Sequence, residues 1–301
     1  MRHWKNGMLC MTEPIIAQRE VTRHILNRFG IRTQKKLGQH FLVDESVVRR
    51  IAESLQLRPD MPVLEIGPGI GTLTQFLAMT GACITAVELD RRCIEIMGTT
   101  LKAYNNIRIV QGDVLNFDFA ELMGAGPFQI AGNLPYYITT PIVMKILEGQ
   151  VPAEKMVFMV QKEVADRMVS APGSKEYGAL SVAVQYHTEA VKLFEVPSAA
   201  FMPPPAVDSA VILCTKRTQP PVDVPSAKLF FRVVRAAFGQ RRKTLANALQ
   251  GGGFSREEVT AMLQETGIKG ERRGETLSLD EFAALSRSYA RNRKEGVSDE
   301  T

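Results

Sequence analysis

Pro62-Val63-Leu64-Glu65-Ile66-Gly67-Pro68-Gly69-Ile70-Gly71 is the stretch whose reading decides the fold. A short apolar run, Pro62–Ile66, has the length of a buried strand. It stops at a glycine-rich turn, and a helical stretch over 71–80 follows. Glycines there permit a tight turn and let a ligand approach the backbone closely. The spacing is G-x-G-x-G, not G-x-G-x-x-G, and Pro68 removes one N–H donor. Both features favour close packing against an uncharged or zwitterionic group over a pyrophosphate cradle. A purely structural turn is the competing reading.

Working outward, the same alternation recurs. Apolar runs stand at 62–66, 83–87, 107–110, 128–131, 156–160, 191–194 and 210–213, with helical stretches at 71–80, 91–103 and 139–149. Strands alternating with helices predict an α/β fold, a mostly parallel seven-stranded sheet covered on both faces. The last two runs have no convincing helix between them, so the final strand is expected antiparallel. Upstream, Val21, Ile25, Leu26 and Phe29 predict a helix over 18–29 stopped by Gly30, and Asp44 caps a second helix to about Leu55. Downstream, 216–226 is polar and Pro-rich, as a linker would be. Everything after it reads as helical: Ser226 caps one helix, Ser255-Arg256-Glu257-Glu258 is a capping box opening another, and a third starts near Leu279. The expected organisation is therefore a basic N-terminal extension and helix (1–30), an α/β domain (31–215), a linker (216–226) and a small all-helical domain (227–301).

Composition is that of an ordinary globular protein, with 45% hydrophobic and 23% charged residues among 301. No apolar run has membrane-spanning length, and the N-terminus lacks the apolar core of a signal peptide. Four scattered cysteines with no C-x-x-C pair argue against a zinc site or a disulfide framework, so no metal is expected and the compartment is read as the cytoplasm. The formal charge is +5. Eight Lys/Arg against three acids lie within residues 19–50, and Arg241-Arg242-Lys243 forms a second cluster. Two distant basic clusters fit a surface that tracks phosphates, or else two solvated helix faces.

Three further features sit where strands should end. Glu88 lies about 20 residues beyond the glycines, where an acid commonly takes a ribose diol, while Asp90 is placed to cap the next helix. Asp113 follows the third strand, either as a turn residue or as an acceptor for an adenine amino group. Asn133-Leu134-Pro135-Tyr136 joins an amide, a peptide held extended by proline and an aromatic ring. That combination suits gripping a flat base by its amino group. In an open α/β sheet the carboxyl edge of the strands is where ligands bind, so Gly67, Glu88, Asp113 and Asn133 should line one crevice.

With these residues in view, the chain resembles a known family. E-x-G-x-G-x-G with its downstream acid is similar to the cofactor turn of S-adenosylmethionine-dependent methyltransferases. Asn133–Tyr136 resembles the (Asn/Asp)-Pro-Pro-(Tyr/Phe) signature of enzymes that methylate amino groups of bases. Lys36–Leu42, Phe201–Ser209 and Arg235–Leu245 complete a set similar to the ribosomal RNA adenine dimethyltransferases, in particular their bacterial small-subunit (16S-type) members. The resemblance spans roughly residues 20–290. It implies a Rossmann-like S-adenosylmethionine methyltransferase domain with a helical C-terminal domain. The implied reaction is dimethylation of N6 on two adjacent adenosines in a hairpin loop near the 3′ end of 16S rRNA, within the small ribosomal subunit, by a monomer. The nearest alternatives are a 23S rRNA adenine N6-methyltransferase and a non-catalytic RNA-binding assembly factor.

Carried onto matching positions, the resemblance places Gln39, His40, Leu42, Gly67, Gly69, Glu88, Asp113 and Asn133 around the cofactor. Many members carry Asn where His40 stands. Asn133 Oδ1 and the Leu134 carbonyl would each accept one N6–H, localising the amine lone pair toward the methyl. Pro135 would keep Leu134 extended without a competing N–H. Tyr136 would stack on the flipped base with Phe201 on its other face. Gly132 is expected to leave room for a methylated amine, and Arg241, Arg242 and Lys243 to meet rRNA phosphate.

Overall fold

The computed structural model describes residues 13–31, 39–149, 151–240 and 242–298, with side chains to residue 292. Helix α1 (Arg19–Arg28) is followed by the two-residue strand β1 (Phe41–Leu42) and by α2 (Glu45–Ser54). Asp44 caps α2, accepting from the Ser46 and Val47 amides. The alternating part then runs β2 (Pro62–Ile66), α3 (Thr72–Ala78), β3 (Cys83–Glu88), α4 (Arg91–Thr100), β4 (Ile107–Gln111), α5 (Phe119–Met123), β5 (Phe128–Asn133), α6 (Thr139–Glu148) and β6 (Ala153–Gln161). After it come α7 (Lys162–Val169), α8 (Ala179–His187), β7 (Thr188–Val196), the short β8 (Phe201–Met202) and β9 (Ser209–Lys216). Four helices close the chain: α9 (Ala227–Phe238), α10 (Leu245–Gly251), α11 (Arg256–Thr266) and α12 (Leu279–Ser298).

All seven sequence-read strands belong to one sheet, in the order β4-β3-β2-β5-β6-β9-β7. The pairs β4-β3, β3-β2, β2-β5 and β5-β6 are parallel. β7 and β9 run in opposite directions. Arg217, just past β9, donates its amide to the His187 carbonyl just before β7, while Ser198 donates to Asp208 Oδ1 at their other ends. Chain order reverses between β2 and β5, and a switch point of this kind opens a crevice at the carboxyl edge. β2 is buried on both faces from Val63 to Ile66, as a central parallel strand should be.

Residues form two compact units: Met1–Ile142 with Val151–Val160 and Phe194–Val211, and Val143–Gln150 with Gln161–Leu193 and Ile212–Thr301. In the first, Ile16, Ile25 and Leu26 share a core cluster with Phe41, Ile70, Ile96 and Met97, so α1 buries its apolar stripe against α4 and the glycine turn. In the second, Tyr186 stacks on Phe230 with ring centroids 4.9 Å apart, and Phe238 meets Phe282. The Ser255–Glu258 capping box forms at α11. Residues 217–226 hold no helix or strand, and Lys216, read as the first residue of the linker, is the last residue of β9. Four helices were not legible in the sequence: α5, α7, α8 and α10. The last helix continues beyond Lys294 to Ser298. Among the described residues no helix is long and apolar enough to cross a membrane.

Candidate active site

The cleft at the switch point lies wholly within the first unit. Its walls include Gln39, His40, Leu42, Gly67, Gly69, Glu88, Asp113, Asn133, Leu134, Pro135 and Tyr136. Eleven positions read from sequence thus converge on one crevice. The glycine turn supports it. Gly67, Gly69 and Gly71 all have positive φ (66°, 60° and 90°), a region that side chains resist. A Cβ on Gly69 would press the Phe41 ring at 3.3 Å.

Glu88 ends β3 and folds back onto that turn. Its Oε2 accepts from the Gly69 amide at 2.9 Å and its Oε1 from the Asp90 amide at 2.8 Å. Burial pushes its pKa up, and those backbone donors oppose the push. Asp90 caps α4 through the Arg92 amide. Burial alone would raise the Asp90 pKa, but hydrogen bonds from Gln39 and Arg92 hold it below the usual range. Gln39 Nε2 reaches Asp90 Oδ2 at 2.9 Å, which ties the 39–42 segment to the rim of the cleft. Asp113 accepts from the Leu115 amide at 2.9 Å and starts a short 3-10 turn, so its turn role and its place in the cleft coexist.

Asn133 is the last residue of β5. Its Nδ2 donates to the His40 carbonyl at 3.2 Å. A carbonyl only accepts, so the amide nitrogen must face His40, leaving Oδ1 turned the other way. The Leu134 amide donates to the Met159 carbonyl on β6, and the Pro135 carbonyl accepts from the Ile138 amide and the Thr139 hydroxyl. The stretch is therefore pinned by backbone bonds at both ends. The Tyr136 hydroxyl sits 2.7 Å from Ser209 Oγ, which fixes the ring, and burial raises its pKa. Ser209 begins β9, so the Phe201–Ser209 motif contributes a tether for Tyr136.

Two expectations are corrected. Phe201 does not face the cleft: it is 1% exposed, in the two-stranded antiparallel sheet β1–β8 opposite Leu42. Pairing turns even a Pro-rich segment into core when its partner strand is buried. Gly132 does not provide room for a methylated amine either. A Cβ there would meet the Ile66 carbonyl at 2.9 Å and Leu134 Cδ2 at 2.8 Å, so the glycine lets β5 approach β2.

Two residues of the second basic cluster are described, and neither is on a helix. Arg242 and Lys243 are exposed in the turn between α9 and α10, while Arg241 lies outside the described residues, as do Arg32, Lys35 and Lys36.

Sequence reasoning quoted Glu65 at the head of the glycine motif but gave it no role of its own. It is 1% exposed yet lines the cleft. Burial pushes its pKa up to about 8, with the Glu88 charge adding to the push. Its Oε2, Thr72 Oγ1 and Thr74 Oγ1 have no hydrogen-bond partner among the described residues. The available signal was an acid inside an otherwise apolar parallel-strand run. Tyr137, 55% exposed at the cleft wall, was missed as well.

Comparison with known proteins gives one family. The model of "Ribosomal RNA adenine dimethylase" matches residues 30–291. "Ribosomal RNA small subunit methyltransferase A" of Geobacillus sp. (strain WCH70) is 48% identical over 274 residues, covering 88% of this chain and 94% of that one. The protein of the same name from Listeria monocytogenes serotype 4b is 45% identical over 275 residues, covering 88% and 93%. Among solved structures, the 23S rRNA methyltransferase ErmE aligns with a TM-score of 0.63 at 29% identity, over 83% of this chain and 99% of that one. A dimethyladenosine transferase from Plasmodium falciparum aligns with a TM-score of 0.71 at 23% identity, over 84% and 98%, and bears on the fold alone.

Proposed function

Because the chain belongs to the ribosomal RNA adenine dimethylase family, we propose that it dimethylates N6 of two adjacent adenosines in a hairpin loop near the 3′ end of 16S rRNA. The substrate would be the small ribosomal subunit, the donor S-adenosylmethionine, and the enzyme a monomer acting in the cytoplasm, where that subunit is made. The observation that carries this reading is the joining of Asn133–Tyr136 and the glycine turn in one cleft.

The residues fit the donor. Gly67 and Gly69 leave space that a Cβ would fill, Glu88 offers carboxylate oxygens for a ribose diol, and Asp113 can accept from an adenine amine. Gln39, His40 and Leu42 line the same cleft. When bound, the donor supplies an activated methyl on a sulfonium.

What this chain adds is positioning. The adenine amine is a weak nucleophile because its lone pair spreads into the ring. Asn133 Oδ1 and the Leu134 carbonyl accept its two N–H bonds and turn the lone pair toward the methyl. Pro135 holds Leu134 extended. Tyr136, tethered by Ser209, stacks on the extruded base. None of these groups acts as acid or base, so the rate comes from orientation and fixed dipoles. The C-terminal helices (227–301) deliver RNA, with Arg242 and Lys243 meeting backbone phosphate.

The small-subunit reading is preferred to the 23S one because relatives at 45–48% identity carry the small-subunit name, against 29% for ErmE. The intact Asn133–Tyr136 stretch argues against a non-catalytic assembly factor. Tritium transfer from labelled S-adenosylmethionine to unmethylated small subunits should succeed, and transfer to large subunits should not. No label on small subunits would refute the reaction.

A further inference from the structure

Tyr136 and Tyr137 are consecutive, yet the structure treats them differently. The Ile138 amide donates to the Pro135 carbonyl at 3.2 Å, so residues 135–138 form a turn with the two tyrosines at its centre. The Thr139 hydroxyl donates to the same carbonyl at 2.9 Å, and Thr139 opens α6. The backbone on either side of the pair is therefore fixed. Within the turn, Tyr136 is tethered by Ser209 Oγ. Tyr137 is 55% exposed, and among the described residues its ring meets no other ring and its hydroxyl has no hydrogen bond. Four large apolar side chains stand well exposed among the described residues, and two of them, Leu89 and Tyr137, line the cleft. Leu89 follows Glu88 at the end of β3, where the donor's ribose would bind. Tyr137 lies beyond the end of β5, and β2 separates β3 from β5, so the two strand ends stand two strand spacings apart, about 10 Å. The uncovered ring is thus on the amine side of the cleft, one residue beyond the ring that holds the target base.

We propose that Tyr137 is a stacking platform for the nucleotide next to the target adenosine. This rests on the proposed reaction and deepens it. That reaction modifies two adjacent adenosines, so while one base is extruded into the cleft its neighbour must lie at the mouth. Adjacent Cα atoms are about 3.8 Å apart across a trans peptide, so a base on Tyr137 is within reach of a nucleotide linked directly to the one on Tyr136. Stacking on a ring face is indifferent to the identity of the base. That suits a site whose flanking nucleotide changes. When the enzyme moves from one adenosine to the other, the neighbour differs, and a hydrogen-bonded contact would fit only one of the two arrangements. A ring held on a fixed turn also loses little conformational freedom when a base settles on it.

Tritium transfer to unmethylated small subunits is measured against subunit concentration, at saturating donor, for wild type, Y137F, Y137L and Y137A. Donor affinity is followed by calorimetry and folding by thermal melting. Y137A should lose about 5- to 150-fold in kcat/KM, the range to which base–aromatic stacking of about 1–3 kcal/mol converts. The loss should appear in KM, because a contact away from the reacting amine is made before and during transfer alike. Y137F, which keeps the flat ring, should recover most of the rate, whereas Y137L, which keeps apolar bulk without a π face, should not. Donor affinity and melting temperature should stay near wild type, since the ring is more than half exposed. Y137L as active as wild type would overturn the proposal, because bulk and not a ring would then suffice. Y137F as impaired as Y137A would overturn it by giving the role to the hydroxyl. Donor affinity falling in step with the rate in Y137A would do so by placing the ring on the donor. Wild-type transfer with Y137A unimpaired refutes this proposal alone, whereas no label from the wild type refutes the reaction, and this proposal with it.

Discussion

Replacing Glu65 by Gln should flatten the dependence of stability on pH. Glu65 is fully buried at the end of β2, and its pKa rises from 4.5 to about 8. Through that interval the folded protein keeps a proton that the unfolded chain has released. The contribution is therefore complete below about pH 4.5 and is lost as pH rises, at about 1.36 kcal/mol per pH unit, until it levels off above about 8. Over the whole interval this amounts to about 5 kcal/mol at most, comparable with the entire stability of many domains. Glu65→Gln removes the titration while keeping shape and a hydrogen-bonding group. Urea unfolding followed by far-ultraviolet circular dichroism, repeated from pH 5 to pH 9, should show the wild type losing stability steadily while the variant changes much less. Parallel curves for the two proteins would refute the reasoning, since they would mean that Glu65 is ionised in the folded state or reaches water.

Gly132→Ala should destabilise by about 1–3 kcal/mol, the usual cost of overpacking, because the new Cβ must displace the Ile66 carbonyl or Leu134. Denaturant midpoints check this, and an unchanged midpoint would remove the close-approach argument. Asn133→Ala should abolish methyl transfer while donor affinity measured by calorimetry falls only modestly; an equal loss of both would move Asn133 from the amine to the donor. Arg242→Ala combined with Lys243→Ala should weaken binding to the small subunit. It should also lower the salt slope of log K by roughly 1.4–1.8 if both meet phosphate, leaving donor affinity alone. Loss of donor binding in that pair would point to a folding role.

Most of what local physics controls was readable in advance. The seven apolar runs, the caps at Asp44, Ser226 and Ser255, and the glycine turn depend on neighbours within a few residues, and each appears where it was expected. The sheet edge then follows, because parallel strands end on one side, and Gly67, Glu88, Asp113 and Asn133 meet there. The helices α5, α7 and α10 escaped notice because they span only five, eight and seven residues, too few for a helical period to repeat, and α8 because it is buried on most sides.

Which way side chains face within those elements was decided only by the tertiary structure. Phe201 is core because β8 pairs with β1, far away in sequence. That pairing also brings the Pro203 carbonyl to His40, 163 residues apart, and sets the imidazole against Tyr136. Glu65 has its raised pKa because β2 is covered on both faces. The sequence alone thus determined the fold, the cleft and the place of Asn133–Tyr136 in its wall, since strand ends and turn chemistry are short-range properties. Contacts between segments that are distant in the chain determined which ring opposes Tyr136 and which carboxyl keeps its proton, since burial and ring pairing exist only once those segments have met.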